Sequence, residues 1–117
     1  MKPKCACGCG QRAANKHHIV YVQRLRELAR RERDKRLRRE IEAQLVADKR
    51  NLMWLAFDCH GSHHSGARRL PLGRLPDSVF EFALEVLGAG PAHEYLRRRY
   101  SGEDARLDAL LVEAEAA

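Results

Sequence analysis

The chain has 117 residues, of which 44% are hydrophobic, and its 22 Lys and Arg outnumber 16 Asp and Glu, giving a formal net charge of +6. This composition indicates one globular domain and excludes a largely disordered chain. The longest apolar run, residues 52–57, is too short to cross a membrane, and the first residues lack the apolar stretch of a signal peptide. We therefore expect a cytoplasmic protein without a membrane partner, in which the four cysteines stay reduced.

The N-terminal part of the chain predicts a knuckle followed by a strand. Residues 1–16 are rich in Cys and Gly and show neither helical nor strand periodicity. Residues 19–22, Ile-Val-Tyr-Val, are β-branched and aromatic, which favours a short strand beginning just after the pair His17 and His18.

The next segment, residues 23–50, contains neither Gly nor Pro and favours helix by intrinsic propensity. One straight helix through this insert would run roughly 40 Å at about 1.5 Å per residue. Paired strands lie only about 5 Å apart, so a straight helix would keep the flanking strands from pairing. We expect the chain to double back within the charged stretch of residues 30–36.

Residues 52–57 predict a second, mostly buried strand. Asp58 can cap the short helix that follows, which carries one cysteine and three histidines, and Gly66 can end it. Further helices are predicted at residues 77–87, capped by Asp77 or Ser78 and closed by Gly88, and at residues 91–100 and 103–115. The expected class is α+β, mostly helical, in a single domain over residues 1–117.

Five of the six histidines fall in two clusters, and no other feature of the chain is as informative. His60 and His64 are four residues apart, so on a helix they share one face and can bind one metal ion. His17 can supply a third nitrogen from a strand, which leaves His18 free to act as a base. His63, three residues from His60, can also point at the metal. Imidazole ligands accept Mg, Mn, Ni or Zn with different affinities, so the identity of this divalent ion stays open.

The order of these residues resembles that of HNH nucleases of the ββα-metal type, and most closely that of small phage HNH proteins. His17 and His18 match the first motif element, Asn51 matches the middle one, and residues 59–64 match the last. The resemblance covers roughly residues 5–66, and the C-terminal helices match more loosely.

This resemblance implies a ββα-metal core, a short two-stranded hairpin plus a helix, over residues 17–66, interrupted by the helical insert 23–50. The knuckle of residues 1–16 would precede the core, and the C-terminal helices of residues 67–117 would follow it. The resemblance also implies roles for five side chains. These are metal binding by His17, His60 and His64, general-base catalysis by His18, and fixing of the loop between the strands by Asn51.

The activity implied is metal-dependent hydrolysis of DNA phosphodiester bonds, by nicking, in an enzyme related to phage and located in the host cytoplasm if phage-encoded. The alternative is a metal-stabilised DNA-binding protein, or a phage packaging accessory protein with little nuclease activity, whose partner would be the packaging machinery. An intact His18 favours the enzyme.

Four cysteines would suit a tetrahedral structural zinc, namely Cys5, Cys7, Cys9 and Cys59. Many HNH relatives hold such a zinc with two Cys-x-x-Cys pairs. This chain departs from that pattern, because Ala56 stands where the second pair would begin and the first group reads Cys-x-Cys-x-Cys. A zinc site of unusual geometry and a set of buried, inert thiols both stay open.

Basic residues are the candidates for contact with DNA, in the stretch of residues 30–39 and in the arginine groups 68–69 and 97–99. Over residues 24–39 nine basic side chains outnumber three acidic ones, and Arg30, Arg31 and Arg33 are expected to bind phosphates. Arg68 and Arg69 directly follow the histidine helix and are better placed by proximity. The alternative for the insert is a solvated helix face with ion pairs along it.

Overall fold

The computed structural model describes residues 3–116, which form two short strands and six α-helices. The strands are β1 (Asn15–His18) and β2 (Leu52–Leu55). The helices are α1 (Val22–Ala29), α2 (Lys35–Ala47), α3 (Phe57–Ser65), α4 (Asp77–Leu87), α5 (Ala89–Arg99) and α6 (Ala105–Ala116). The mostly helical α+β class is therefore confirmed. Across the described residues, no helix combines the length and apolarity that crossing a membrane requires.

The two strands pair antiparallel, as expected, but β1 lies earlier in the chain than predicted. Its register joins Asn15 to Leu55 and His18 to Leu52, so the histidine pair belongs to the strand. The prediction of a strand over residues 19–22 was wrong. Val20 leaves the sheet because both its N–H and its carbonyl bond to the Asn51 side chain. The fully buried side chains of Ile19 and Val20 enter the core.

The insert doubles back as the strand spacing required. Helices α1 and α2 pack against each other, and the chain reverses between them at residues 30–34. Arg26 Nε lies 2.8 Å from Glu42 Oε1 across the two helices. Asp34 caps α2 by accepting a hydrogen bond from the Leu37 N–H at 2.8 Å. The reversal leaves β1 and β2 free to pair.

Several predicted caps and helix starts were wrong. Asp58 lies inside the first turn of α3 rather than at its N-cap, where its charge favours the positive end of the helix dipole. Gly66 does end α3, with a left-handed φ of 78° that suits glycine. Asp77 likewise begins α4 behind Pro76 instead of capping it, and α5 starts at Ala89, two residues before Pro91.

The core lies where α4, α5 and α6 pack together and meet the sheet and α1. Its fully buried side chains include Phe82, Leu96, Leu72, Leu25 and Leu55. Backbone bonds between Leu70, Leu72 and Ser101 then join the connector after α3 to the end of α5. This link brings the C-terminal helices up against the histidines of β1 and α3.

Candidate metal centre

Three histidines from β1 and α3 converge on one point. His17 points inward from β1 and is fully buried, and its ring centroid lies 5.2 Å from that of His60 and 5.2 Å from that of His64. The four-residue spacing on α3 puts His60 and His64 on one face, with their Nε2 atoms 2.9 Å apart. One ligand nitrogen of each ring lies within 4.8 Å of the others, so the three can hold a single metal ion.

The hydrogen bonds of His17 fix which of its nitrogens is available. The Tyr100 hydroxyl donates to the Ile19 carbonyl at 3.0 Å, because a carbonyl can only accept. The hydroxyl oxygen therefore accepts from His17 Nε2–H, at 2.8 Å, and the lone pair resides on Nδ1. Within residues 3–116, His17 Nδ1 is the one buried side-chain polar atom that has no hydrogen-bond partner. A bound metal ion would satisfy this nitrogen, and Tyr100 would orient the ring from behind.

His63 belongs to the framework of the site. It is 3% exposed, its Nδ1 accepts from the Leu70 N–H at 3.1 Å, and its Nε2 therefore donates to the Tyr21 hydroxyl at 3.2 Å. Its ring also stacks on Tyr100 with centroids 4.7 Å apart. Since both nitrogens are occupied, the geometry favours His64 over His63 as a ligand.

The environment keeps these rings neutral. Burial, reinforced by repulsion from the neighbouring histidines, lowers the pKa of His17 to about 2 and that of His63 to about 4. The pKa of His60 is lowered for the same reasons, with burial as the main cause. Metal binding requires neutral imidazole, so His17 and His60 can bind a cation at neutral pH without first losing a proton.

His18 lies on the other face of β1 and retains a free nitrogen. Its Nε2–H donates to the Val46 carbonyl at 3.1 Å, which leaves the lone pair on Nδ1. The ring is partly exposed in a cavity that it shares with Lys16, Lys49 and Trp54. A partly exposed base therefore follows the candidate ligand His17 directly on β1, with its ring on the opposite face of the strand.

Asn51 holds the turn that follows β1. The side chain is fully buried, its Oδ1 accepts from the Val20 N–H at 2.7 Å, and its Nδ2 donates to the Val20 carbonyl at 2.9 Å. The main-chain carbonyl of Asn51 accepts from the Ile19 N–H at 2.9 Å. These bonds tie the end of β1 to the start of β2, and so position His17 and His18.

The four cysteines form a second cluster. Sulfur separations are 3.3 Å for Cys5–Cys7, 3.3 Å for Cys7–Cys59 and 3.7 Å for Cys9–Cys59, and all four sulfurs lie within 4.8 Å of one another. A tetrahedral zinc with Zn–S bonds of about 2.3 Å needs sulfur separations of roughly 3.8 Å, so the cluster can bind a metal such as zinc. The fourth ligand comes from the first turn of α3, which explains how the site forms with alanine at position 56.

Local backbone structure brings the three knuckle thiols together. Gly8 and Gly10 have φ angles of 88° and 83°, which let the chain turn sharply on both sides of Cys9. The Ala6 N–H bonds to the Trp54 carbonyl at 2.8 Å and anchors the knuckle to β2.

Burial raises the pKa of the Cys5 thiol, but hydrogen bonds from the backbone and the neighbouring thiols outweigh this effect and lower the pKa to about 7. Burial and the neighbouring thiols raise the pKa values of Cys7 and Cys59, so of these three thiols Cys5 most readily becomes the thiolate that zinc requires.

The arginines expected to bind DNA separate into two groups. Arg30, Arg31 and Arg33 lie exposed at the reversal between α1 and α2. Arg68 and Arg69 line a cavity together with the cysteine cluster, and Arg69 also lines a cavity with His63 and His64. Arg69 is thus brought to the histidine centre.

Two residues at this centre were missed from the sequence: Tyr21 and Tyr100. Tyr100 lies 83 residues from its partner His17, at the end of an arginine-rich helix, where no motif or spacing points to it. Tyr21 was predicted as a strand residue. Arg99 belongs to the candidate group 97–99, but no signal distinguished it from its two neighbours.

Comparisons with protein-family models, curated proteins and solved structures find no match to this chain. The chemistry of the histidine and cysteine clusters is therefore the basis for proposing a function.

Proposed function

We propose that this protein is a metal-dependent endonuclease of the HNH type, which hydrolyses phosphodiester bonds in DNA and nicks the duplex. The observation that carries the proposal is the convergence of His17, His60 and His64 on one point, with His18, whose Nδ1 is free, next to His17 on β1. Three protein ligands leave positions open for substrate and water, which is typical of catalytic rather than structural metal sites.

The arrangement of the elements supports a ββα-metal core. β1 and β2 form an antiparallel pair, and α3 follows β2 directly and packs against β1. One ligand comes from the strand and two from the helix, while Asn51 fixes the connection between them. This matches the order of roles that the resemblance to HNH nucleases implies.

The proposed reaction begins with the transfer of a proton from water to His18. His18 Nδ1 accepts a proton from the water that attacks phosphorus in line, and the Val46 carbonyl then holds the resulting imidazolium through Nε2–H. A bound divalent ion supplies positive charge that stabilises the phosphate and the departing 3′-oxygen. The four cysteines hold a structural zinc that pins the N-terminal knuckle to α3.

Cleavage of supercoiled plasmid with Mg, Mn, Ni or Zn tests the proposal. His18→Ala should keep metal binding and lose about 10²- to 10⁴-fold in rate, because general-base catalysis commonly contributes that much. His93→Ala is the matched control, since His93 lies on α5 in a separate cavity with Glu94 and Arg97. If the wild-type protein binds DNA but cleaves with none of these ions, the accessory DNA-binding function replaces the nuclease.

A further inference from the structure

A cavity beside the histidine centre is lined mainly by cationic and aromatic side chains. We call it the arginine cavity, and its lining includes Tyr21, His63, His64, Arg69, Arg98 and Arg99. His64 belongs to both the cavity and the metal cluster, so the two adjoin. The backbone bonds of Leu70 and Leu72 to Ser101 bring Arg69, from the connector, beside Arg99, from α5.

The cavity has excess positive charge. Arg98 pairs with Glu94 at 2.7 Å, but neither Arg69 nor Arg99 forms a salt bridge with any carboxylate in the described part of the chain. No Asp or Glu lines the cavity either. Two guanidinium groups that face a shared space without a carboxylate make a binding site for an anion.

Both guanidinium groups are held in place. Arg99 lies over the Tyr95 ring, 3.9 Å from its centroid, and 5.5 Å from the centroid of Tyr21. The Tyr95 hydroxyl accepts from the Tyr21 N–H at 2.9 Å, which fixes one ring relative to the other. Arg69 donates to the Arg98 carbonyl through one nitrogen. Contact with the Tyr95 ring restricts the Arg99 side chain, so little side-chain entropy is lost when its N–H groups bind an anion.

We propose that the arginine cavity is a phosphate subsite, where Arg69 and Arg99 bind a backbone phosphate of DNA next to the one that is cut. This inference rests on the proposed nuclease function, because proximity to the metal ligands is what selects a phosphodiester over other anions. It assigns a role to α5, which lies outside the strand–strand–helix unit. In this proposal Arg69 and Arg99 position the DNA strand, and the histidines hydrolyse it.

The test measures binding of a short DNA duplex by fluorescence anisotropy in Mg²⁺, with all variants built on His18→Ala so that the probe stays intact. Arg69→Ala and Arg99→Ala should each weaken binding about tenfold, whatever the DNA sequence, since charge-assisted bonds to phosphate are lost. Each should also reduce the slope of log affinity against log salt by about one. Arg97→Ala is the matched control, because Arg97 is exposed on the same helix and lines a different cavity.

Thermal melting separates binding from folding, because removal of Arg99 also removes its stacking on Tyr95. Arg69→Ala lacks that complication and tests the subsite independently. Affinities and salt slopes for both variants equal to those of Arg97→Ala would overturn the subsite, even if the wild-type protein nicks plasmid. Arg69- and Arg99-dependent binding by a wild-type protein that cleaves nothing would leave the phosphate site standing and refute the nuclease.

Discussion

Adjacent histidines on α3 have different hydrogen-bonding states, and these states assign their roles. His63 has both nitrogens bonded and is buried, whereas His64 is exposed and shares a 2.9 Å contact with His60. Sequence spacing alone allowed either residue to be the ligand beside His60. The structure separates them because the Leu70 N–H and the Tyr21 hydroxyl occupy the ring of His63.

His64→Ala should therefore abolish tight binding of a metal ion at the histidine cluster while leaving the fold intact. His63→Ala should retain most of the metal affinity but lose about 1–3 kcal/mol of unfolding free energy, because it leaves the buried Leu70 N–H without a partner. Calorimetric titration with Ni or Zn and urea denaturation measure the two quantities. Loss of metal binding in His63→Ala comparable to that in His64→Ala would reverse the assignment.

We expect the loss of the Asn51 side chain to lower the stability of the fold. Asn51→Ala removes both side-chain bonds to Val20 in a fully buried setting and should cost about 3 kcal/mol of unfolding free energy. Asn15→Ala, at the partly exposed start of β1, is the matched control and should change stability by less than about 0.5 kcal/mol. Equal urea midpoints for the two variants would show that the turn does not depend on Asn51.

At the scale of elements, the α1–α2 hairpin is the feature that the sequence predicted best. Its reversal followed from a distance argument, since paired strands cannot be joined by one long helix. The strand before it was misplaced, because β-propensity at Ile19 and Val20 is local, while the side-chain bonds that take Val20 out of the sheet come from Asn51, thirty-one residues away. The predicted N-caps at Asp58 and Asp77 were wrong because an aspartate can stabilise the start of a helix either at the N-cap or in the first turn.

The hairpin also presents the exposed arginines to solvent. Charge reversal of Arg30, Arg31 and Arg33 together should weaken DNA binding equally for all sequences and flatten its dependence on salt, since fewer counterions are released. None of the three forms a salt bridge with a described carboxylate, so the fold should be unaffected. Anisotropy titrations across a salt series measure the slope. An unchanged slope would mean that this segment is a solvated helix face.

Over the whole molecule, the candidate site draws on more of the chain than its motif does. Residues 17–64 supply the histidines, but Tyr100 and Arg99 come from the end of α5. The histidine set could be predicted because its spacing is regular and its chemistry is distinctive. Its supporting residues could not, since a tyrosine or arginine far along the chain carries no local sign of the ring it will contact.

The cysteine cluster acts at this largest scale, because it joins the N-terminal knuckle to α3 and so to the histidine centre. Closing such a long loop restricts the unfolded chain, and metal binding couples directly to folding. Cys59 is the only thiol of the four outside the knuckle, which makes it the residue whose loss separates the two segments.

Purified protein should therefore contain one zinc that survives mild chelation after any ion at the histidine cluster has left. Cys59→Ser should release that zinc and lower the melting temperature by about 5 °C or more, although Cys59 lies outside the histidine cluster. Ser62→Ala, one turn further along α3 and lining the same cavity, is the control and should retain the zinc. Elemental analysis measures the zinc, and thermal melting measures the stability of both proteins. A zinc-free wild-type protein that is as stable as its Cys59→Ser variant would show that the four thiols are packing residues, because thiols that hold no ion cannot couple the knuckle to α3.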